Sequence, residues 1–482
     1  MQDLRPVGYV IGLLSAMLGA SMIIPLAVDH ADGNLHWQAF GVSALVAGGV
    51  GTLLALACAN GVRDRLTLQQ TFLLATLVWV ALPLFGAVPF ILGATEARAV
   101  DAVFEAMSGM TTTGATVFAG LEKLPPGLLL WRSMLQWFGG IGIIIVAMVF
   151  LPELRVGGMQ IFRSEAFDTG GKVLPRAAEI AARIAGIYVG LTLACHIAYV
   201  TVGMSGFEAL NHALTTMSTG GFSTSDASFG IYQGAPEYVA SVFMVLASLP
   251  FVRYVQIAAG SARPLFRDSQ VRAFLKVIAV LVAIITAYRS LANNDHLESA
   301  FREALFNITS IITGTGYASV DYQRWGPFPV VLLFFVGLIG GCAGSTCCSV
   351  KIFRYQLLFA AVRAQVRRIH LPDGVFSARY GGRPVSLEVL NSVMAFLGIF
   401  VVTLGLTTAS LGLTGLDFVT ALSGAATALA NIGPGFGEII GPAGNFAPLN
   451  DTAKWILIFA MLLGRLELLV VLVIFLPRFW RV

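Results

Sequence analysis

Charged residues are scarce in this chain. Of its 482 residues only 12% are charged, whereas a soluble globular domain carries about 25%. A globule of this size needs more charge than that to cover its surface with polar groups. The composition therefore excludes an ordinary soluble protein.

Cysteine is also rare, and its spacing fits neither a disulfide framework nor a zinc site. The five cysteines are Cys58, Cys195, Cys342, Cys347 and Cys348, and all of them lie in apolar or nearly apolar segments. His196 and His212 have no carboxylate or cysteine at ligand spacing. No Ser/His/Asp set converges on a motif, so the sequence does not predict an enzyme.

Apolar residues are abundant at 57% and occur in long blocks. A helix needs about 20 residues to cross a hydrocarbon core. The first block is longer than a signal-peptide core and lacks a clear cleavage site, so it is predicted to be the first span. The predicted spans are Val7–Val28, Gln38–Cys58, Gln70–Leu92, Leu128–Leu151, Ile184–Val202, Tyr238–Ala259, Val271–Leu291, Pro329–Gly341, Val389–Leu411 and Trp455–Leu476.

Basic residues predict how these spans are oriented. If the N-terminus is cytoplasmic and each span crosses, most arginines and lysines fall on the cytoplasmic side, with a dense group at Arg363–Arg383. This bias follows the positive-inside rule. The basic loops therefore need no nucleic acid to explain them, and a multi-pass protein surrounded by membrane lipids is expected.

Internal repetition is the most informative pattern in the sequence. Four times, a long apolar helix precedes a short half-apolar helix, a Gly/Thr/Ser-rich loop and a second long helix. The short helices are predicted at Val100–Met110, Gly206–Met217, Leu297–Ile311 and Gly415–Ala430. The predicted fold is an all-α integral membrane protein with four tandem helix–pore-helix–filter–helix repeats around one pore. Residues 1–66 are predicted to form two extra N-terminal transmembrane helices, and the repeats to span 67–155, 176–262, 268–362 (with an intramembrane gating loop) and 384–482.

The four loops share a glycine that follows a threonine or isoleucine. They contain Thr112-Thr113-Gly114, Ser218-Thr219-Gly220, Ile312-Thr313-Gly314 and Asn431-Ile432-Gly433. Irregular backbone at membrane depth is tolerated where it is buried in protein or lines water. A ring of carbonyl oxygens replaces the hydration shell of a cation, and glycine permits the positive φ that such loops need. The pattern therefore indicates a path for monovalent cations.

Small residues interrupt the second helix of the third repeat, including Gly341, Gly344, Ser345, Thr346, Cys347 and Cys348. Such residues are typical of a close helix-packing face, and they also fit a non-helical loop beneath the filter. Arg465 lies in the middle of the last predicted span, where a charge is costly unless it is paired or faces water. One interpretation is an ion pair with Glu467 or a carbonyl. The other is a positive barrier in the pore, which the helical spacing of Glu467 favours.

These motifs resemble the Trk/Ktr/HKT superfamily of potassium transporters. The resemblance rests on the four loops at 111–116, 218–223, 313–317 and 431–437, and on Gly341–Thr346 and Gly464–Glu467, which match the bacterial TrkH branch. In this family the glycine loops are the selectivity filter, and the stretch around Gly341–Ser349 with Arg465 is the gate. The resemblance implies K⁺ ligation at Thr112, Thr113, Thr219, Gly220, Thr313, Gly314, Ile432 and Gly433. Cys347 and Cys348 stand where family members often carry glycine.

The resemblance also implies function and partners. It implies a potassium-selective, gated, channel-like transporter for K⁺ uptake across the bacterial inner membrane, with K⁺ as the transported ion and no covalently bound cofactor. It further implies a homodimer with one pore per subunit and a cytosolic TrkA-type nucleotide-binding subunit that gates it. The alternative is a Na⁺-permeable or ion-coupled (H⁺/Na⁺ symport) secondary transporter. Secondary transporters that work by rocking of two halves usually carry two inverted repeats. In the plant branch of the family, a serine in place of the first filter glycine accompanies a preference for sodium. Four parallel repeats and Gly114 therefore favour the potassium conductor.

Overall fold

The computed structural model describes residues 3–61, 66–147, 157–159 and 173–481. The predicted end of the first repeat at residue 155 and the end of the predicted span Leu128–Leu151 lie outside these residues. The described chain is mostly helical. Its strands are two pairs of two residues each, Ile339–Gly340 with Val350–Lys351 and Arg379–Tyr380 with Arg383–Pro384.

Seven helices in the described part of the chain are long and apolar enough to cross a membrane, and a bent helix pair adds an eighth. Many large apolar side chains on their outer faces are exposed, for example Leu45 at 77%. In a soluble protein such a surface would be an aggregation hazard. The single spans are Arg5–Ala31, Trp37–Gly61, Leu68–Leu92, Pro126–Ile145, Ala181–Thr201, Ser269–Ala292 and Leu387–Leu413.

The two N-terminal spans form a tight hairpin. They consist of Arg5–Ser21 with Ile23–Ala31, and of Trp37–Cys58 with the 3₁₀ turn Ala59–Gly61. Side chains added at Gly12 or Gly51 would meet the backbone of the opposite helix, so glycine lets the two helices approach closely. Asp29 joins the hairpin to the first repeat by accepting a 2.6 Å hydrogen bond from the backbone N–H of Gly127.

Four helix–pore-helix–helix units follow. The first contains Leu68–Gly86, Val88–Leu92, the pore helix Ala99–Met110, the 3₁₀ turn Leu121–Lys123, and Pro126–Ile145. The second contains Val173–Thr201, the pore helix Gly206–Met217, Ala235–Ala247 and Phe251–Ala258. The third contains Arg263–Arg267, Ser269–Ala292, the pore helix Leu297–Thr313, the 3₁₀ turn Tyr322–Trp325, Pro327–Gly337 and Ile352–His370. The fourth contains Leu387–Leu413, the pore helix Phe418–Ala430, Asp451–Arg465, Leu469–Ile474 and the 3₁₀ turn Pro477–Arg481.

The last pore helix begins later than predicted. Asp417 is its N-cap and accepts a hydrogen bond from the backbone N–H of Thr420 at 3.1 Å. A short polar side chain at this position satisfies a free N–H group of the first turn. The helix therefore starts at Phe418 rather than at Gly415.

Three of the predicted spans are not continuous helices. The continuous helices predicted at Tyr238–Ala259 and Trp455–Leu476 are wrong, whereas the interruption expected in the third repeat is present and begins earlier than predicted. Tyr238–Ala259 divides into two helices that bend by 89° around Ser248–Pro250, because proline lacks the backbone donor that would continue a helix. Pro329–Gly341 leaves the helical conformation after Gly337. Trp455–Leu476 breaks after Arg465, where Glu467 and Leu468 have φ values of 59° and 45°.

Candidate ion-conducting site

All four pore helices end in the same way. A residue one or two positions beyond each helical end has a left-handed φ: Thr112 at 52°, Thr219 at 51°, Gly314 at 75° and Asn431 at 50°. Its N–H bonds to the carbonyl three residues earlier in every repeat. In repeats one, two and four the next N–H bonds five residues back, as at a helix C-terminus of the Schellman type. This conformation is strained for a β-branched threonine, and local strain of this kind concentrates at functional sites.

The shared helix end aligns the repeats. The equivalent triplets are Thr112-Thr113-Gly114, Thr219-Gly220-Gly221, Gly314-Thr315-Gly316 and Asn431-Ile432-Gly433. The sequence-based alignment on Gly220 and Gly314 is therefore displaced by one residue in the second repeat and by two in the third. Ile312 and Thr313 belong to the third pore helix, and Ser218 is the residue that follows the second. Sequence reasoning missed Gly221 and Gly316.

The last glycines of the triplets form a closed ring. A Cβ atom added to Gly114 would meet the carbonyl oxygen of Gly220, one on Gly221 that of Thr315, one on Gly316 the backbone nitrogen of Gly433, and one on Gly433 the carbonyl oxygen of Gly114. Each contact runs from one repeat to the next, and the last returns to the first. The four loops therefore surround a single axis that has no room for side chains at this level.

The space above the ring supports the same alignment. A cavity of about 180 Å³ opens there, and its lining includes Gly114, Gly221, Gly316 and Gly433. At its rim Asp226 accepts hydrogen bonds from the backbone of Gly120 and Leu121, and Glu122 accepts one from Ser225 Oγ at 2.6 Å. The Ser225 hydrogen bond is the main cause of the lowered pKa of Glu122. These contacts join the outer loops of the first two repeats.

A side chain on each pore helix holds the loop that leaves the filter. Glu105 accepts a hydrogen bond from the N–H of Val117 at 2.9 Å. Asn307 does the same for Ser319 at 3.3 Å, and Ser423 for Phe436 at 2.9 Å. In the second repeat His212 contacts Ser223 Oγ at 3.1 Å. The side chain lies seven residues before the left-handed residue in the first three repeats and eight before it in the fourth, and in each repeat it holds the loop that follows.

Two polar residues of helix Pro126–Ile145 reach across to the second filter loop. Arg132 pairs with Glu105 at 2.8 Å and donates to the carbonyl oxygen of Ser223 at 2.8 Å. Gln136 donates to the carbonyl oxygen of Gly220 and accepts from the N–H of Phe222. Sequence reasoning did not select these residues. Their signal is two long polar side chains one helical turn apart in a mostly apolar span.

The segment between Gly337 and Ile352 is non-helical, and its base is closed by the parallel pair Ile339–Gly340 with Val350–Lys351. It rests on the break in the second repeat. The hydrogen bonds are Cys342 N–H to Ser248 O at 3.1 Å, Thr346 Oγ1 to Ala247 O at 3.0 Å, and Phe251 N–H to Gly344 O at 2.9 Å. One broken helix therefore satisfies the backbone groups that the other exposes, which is what allows irregular backbone at this depth.

This loop lies directly under the filter. Thr219 Oγ1 donates to Thr346 Oγ1 at 3.2 Å, and Thr112 Oγ1 lies 3.8 Å from Cys348 Sγ. Both threonines occupy the left-handed position at the end of a pore helix. The first two filter loops and the loop of the third repeat are therefore in contact.

Arg465 faces the loop from the fourth repeat. Its side chain is 2% exposed and donates to Gly139 O at 2.9 Å, to Thr346 O at 3.4 Å and to Cys348 Sγ. It does not pair with Glu467, which forms a buried ion pair with Arg354. Lys351 donates to the carbonyl oxygen of Cys347.

Among the described residues, the layer under the filter therefore holds three cationic side chains and one carboxylate. A cavity of about 20 Å³ in this layer is lined by Cys347, Cys348, Lys351 and Arg465, among others. Glu467 lines the same cavity, so the described part of its wall carries two cationic side chains and one carboxylate.

Known proteins share this sequence and fold. Residues 44–482 match the family model described as TrkH, cation transport protein. The chain is 43% identical over 478 residues to the Trk system potassium uptake protein TrkI of Halomonas elongata, covering 99% of this chain and 97% of that one. It is 36% identical over 485 residues to the Trk system potassium uptake protein TrkH of Escherichia coli K12, covering 99% of both. The crystal structure of the potassium transporter TrkH from Vibrio parahaemolyticus superposes over the full length of both chains with a TM-score of 0.91 and 33% identity.

Proposed function

Because this chain belongs to the TrkH family of cation transport proteins, we propose that it is a membrane potassium uptake protein that works as a gated, channel-like conductor. The observation that carries the proposal is the closed ring of Gly114, Gly221, Gly316 and Gly433. Four loops around one axis present backbone carbonyls to a dehydrated cation. Each of the four pore helices ends where its filter loop begins, so its negative C-terminal end favours positive charge at the ring.

The chemistry of the ring suits a monovalent ion. None of the four filter triplets contains a carboxylate, so nothing in them binds a divalent cation strongly. We assign the K⁺ ligands to the backbone of Thr112, Thr113, Gly114, Thr219, Gly220, Gly221, Gly314, Thr315, Gly316, Asn431, Ile432 and Gly433. Uptake then needs no chemical step, because the membrane potential supplies about 2.3 kcal/mol per charge for each 100 mV.

The gate in this proposal is the loop 341–349 together with Arg465. The loop touches two filter loops from below, and Arg465 bridges Gly139 of the first repeat and Thr346 of the third. A small shift of the loop or of one guanidinium changes both the width and the charge of the path.

The finer assignments concern location and partners. We propose a bacterial inner-membrane protein with a cytoplasmic N-terminus, two copies per assembly with one pore each, and a cytosolic TrkA-type nucleotide-binding subunit that gates them. The relatives' names place them in a Trk system. Helix Ile352–His370 follows the gating loop directly and ends in Arg367, Arg368 and His370, all exposed. A subunit bound there would have a direct mechanical path to the loop.

Flux from liposomes tests the conduction proposal. Purified protein is expected to pass K⁺ and Rb⁺ faster than Na⁺ and Li⁺ under an imposed membrane potential. Equal flux of all four ions contradicts potassium selectivity. Flux that requires a proton or sodium gradient favours the coupled transporter instead.

Purification from native membranes tests the partner. The nucleotide-binding subunit should co-purify with the wild-type chain and be lost on charge reversal at Arg367 and Arg368, but not at Arg324, which lies in an outer loop under the proposed orientation. Full nucleotide-responsive gating by the purified chain alone contradicts the partner proposal.

A further inference from the structure

An apolar cavity of about 540 Å³ lies between the first span, helix Leu68–Gly86 and helix Pro126–Ile145. Its walls include Leu14, Val78, Trp79 and Phe138. Ser21 brings a hydroxyl to the lining, but this group already donates to the carbonyl oxygen of Leu18 at 2.7 Å. The cavity therefore offers almost nothing to a polar ligand.

Neither water nor empty space fits such a cavity. Apolar cavities of about 150 Å³ already stay dry and accept apolar ligands, and a void of this size would forfeit the dispersion contacts of its whole lining. All three surrounding helices are membrane spans. Met17 belongs to the lining and is 68% exposed on the outer surface, so the cavity borders the region where lipid chains lie.

A positive charge at one end of the cavity indicates how a phospholipid would lie there. Arg5 precedes Val10, a lining residue, by about one and a half helical turns, and its side chain is 60% exposed beside Asp3. A phospholipid with its phosphate near Arg5 would place its acyl chain along the cavity. With the N-terminus cytoplasmic, such a lipid belongs to the cytoplasmic leaflet.

Trp79 connects this cavity to the layer under the filter. Its ring forms part of the cavity wall, and the guanidinium carbon of Arg465 lies 5.3 Å from the ring centroid. A cation near an aromatic ring at this distance is attracted to its face. Trp79 itself is only 3% exposed. An occupant of the cavity would therefore fix the ring against which Arg465 packs.

We propose that this cavity binds the acyl chain of a phospholipid, and that the bound chain holds Trp79 and Arg465 in the arrangement seen under the filter. The binding step stands on the cavity alone. Its effect on conduction rests on the function proposed above. The two parts are therefore tested by separate measurements.

Fluorescence quenching tests the binding step. The protein is reconstituted in phospholipid vesicles whose acyl chains carry bromine, and the contribution of Trp79 is taken as the difference between the wild type and Trp79→Phe. Because Trp79 is buried, its quenching requires a chain inside the cavity. Trp455, which is 49% exposed, is the positive control, measured in the same way with Trp455→Phe. Quenching of Trp455 without quenching of Trp79 overturns the proposal.

Two double variants test whether the quenching of Trp79 depends on this cavity. Leu14→Phe with Val78→Phe narrows the cavity from two walls. Leu13→Phe with Leu77→Phe places phenylalanine instead at the neighbouring, lipid-facing positions, which are 42% and 40% exposed. The cavity pair should lose most of the Trp79 quenching and the surface pair should keep it. Equal quenching in both pairs overturns the site.

Rubidium flux tests the regulatory step. The cavity pair should change the basal flux relative to the surface pair, with the order of ion selectivity preserved. Lost quenching with unchanged flux overturns the regulatory role while leaving the lipid site in place. Absence of selective flux in the wild type contradicts the proposed function instead, and quenching still reports on the lipid site.

Discussion

Gln136 donates its side-chain amide to the carbonyl oxygen of Gly220 at 2.7 Å, and so joins the first repeat to the filter loop of the second. The other end of the same amide accepts from the N–H of Phe222 at 3.0 Å. One buried side chain therefore fixes the backbone on both sides of Gly221, a member of the glycine ring. The spacing of the ring thus depends on a residue outside the loops.

Replacing Gln136 should weaken selectivity. Gln136→Leu leaves two buried backbone groups unpaired, at a cost of about 1–3 kcal/mol each, and we expect the Gly220 carbonyl to turn. Gln136→Glu keeps the acceptor for Phe222 but removes the donor to Gly220, so it separates the two contacts. The measurement is the ratio of Rb⁺ to Na⁺ flux in liposomes.

Ser133→Ala is the control for this pair of variants. Ser133 lies one turn earlier on the same helix and contacts Asn211 rather than a filter loop. It should keep the wild-type ratio. If Gln136→Leu also keeps that ratio at normal folded yield, Gln136 does not position the filter.

Asparagine substitutions test the alignment of the third repeat. Gly314 occupies the left-handed position that Asn431 occupies in the fourth repeat, and the nearest atom to an added Cβ there is 3.5 Å away. Gly316 belongs to the ring, and a Cβ there would lie 2.6 Å from Gly433 N. We expect Gly314→Asn to retain K⁺ over Na⁺ selectivity and Gly316→Asn to lose it. The reverse outcome would restore the alignment on Gly314.

Serine substitutions extend this test to the whole ring. Gly114→Ser, Gly221→Ser and Gly433→Ser should each weaken K⁺ over Na⁺ flux, because a side chain at these positions displaces a neighbouring carbonyl group. Gly220→Ser is also expected to do so, through its contact with Gln136. Unchanged selectivity in all four, with folded protein, contradicts the assignment of these loops to the filter.

The sequence was sufficient to predict the repeats but not their exact alignment. Hydropathy and the four glycine loops predicted the fold class, and the number of small residues after Gly340 predicted a non-helical segment there. The alignment failed because glycine serves two purposes in this chain. At Gly314 it ends a helix in the left-handed conformation, where threonine or asparagine stands in the other repeats, and at Gly316 it allows close approach to the next loop.

Contacts between repeats also lay beyond sequence reasoning. Arg132 and Gln136 act on a loop about 90 residues away in the chain, and no local pattern contains that information. The break after Arg465 was missed for a similar reason. Nothing in Leu466–Leu468 disfavours a helix by propensity, and tertiary contacts such as the buried pair of Glu467 with Arg354 accompany the break.

Acid should loosen the outer mouth of the pore. The pKa of Glu122 is lowered from its usual value, near 4.5, mainly by the hydrogen bond from Ser225. The ionised Glu122 carboxylate therefore stabilises the contact between the two outer loops fully at pH values above its usual pKa. This stabilisation is lost as the pH falls through the lowered pKa. Ser225→Ala should move the pKa of Glu122 upward, which NMR of the labelled carboxyl carbon measures. Ser228→Ala, in the same loop, is the control, and an equal shift in both variants contradicts the assignment to Ser225.

Removing the guanidinium of Arg465 should raise basal K⁺ flux if this group is the barrier beneath the filter. Arg465→Ala deletes a positive charge from the axis and frees the loop at Thr346 and Cys348. Deleting part of Gly344–Cys348 should likewise give a leakier pore with altered gating.

Arg354→Ala is the matched control, because it removes a buried arginine from the same layer but leaves Glu467 buried and unpaired. That change should cost about 3–5 kcal/mol of stability and mainly lower the folded yield. Flux and folded yield are measured together, because a barrier changes the flux and a structural support changes the yield. Reduced flux in Arg465→Ala and in the loop deletion, at normal expression, would show that neither Arg465 nor the loop closes the pore.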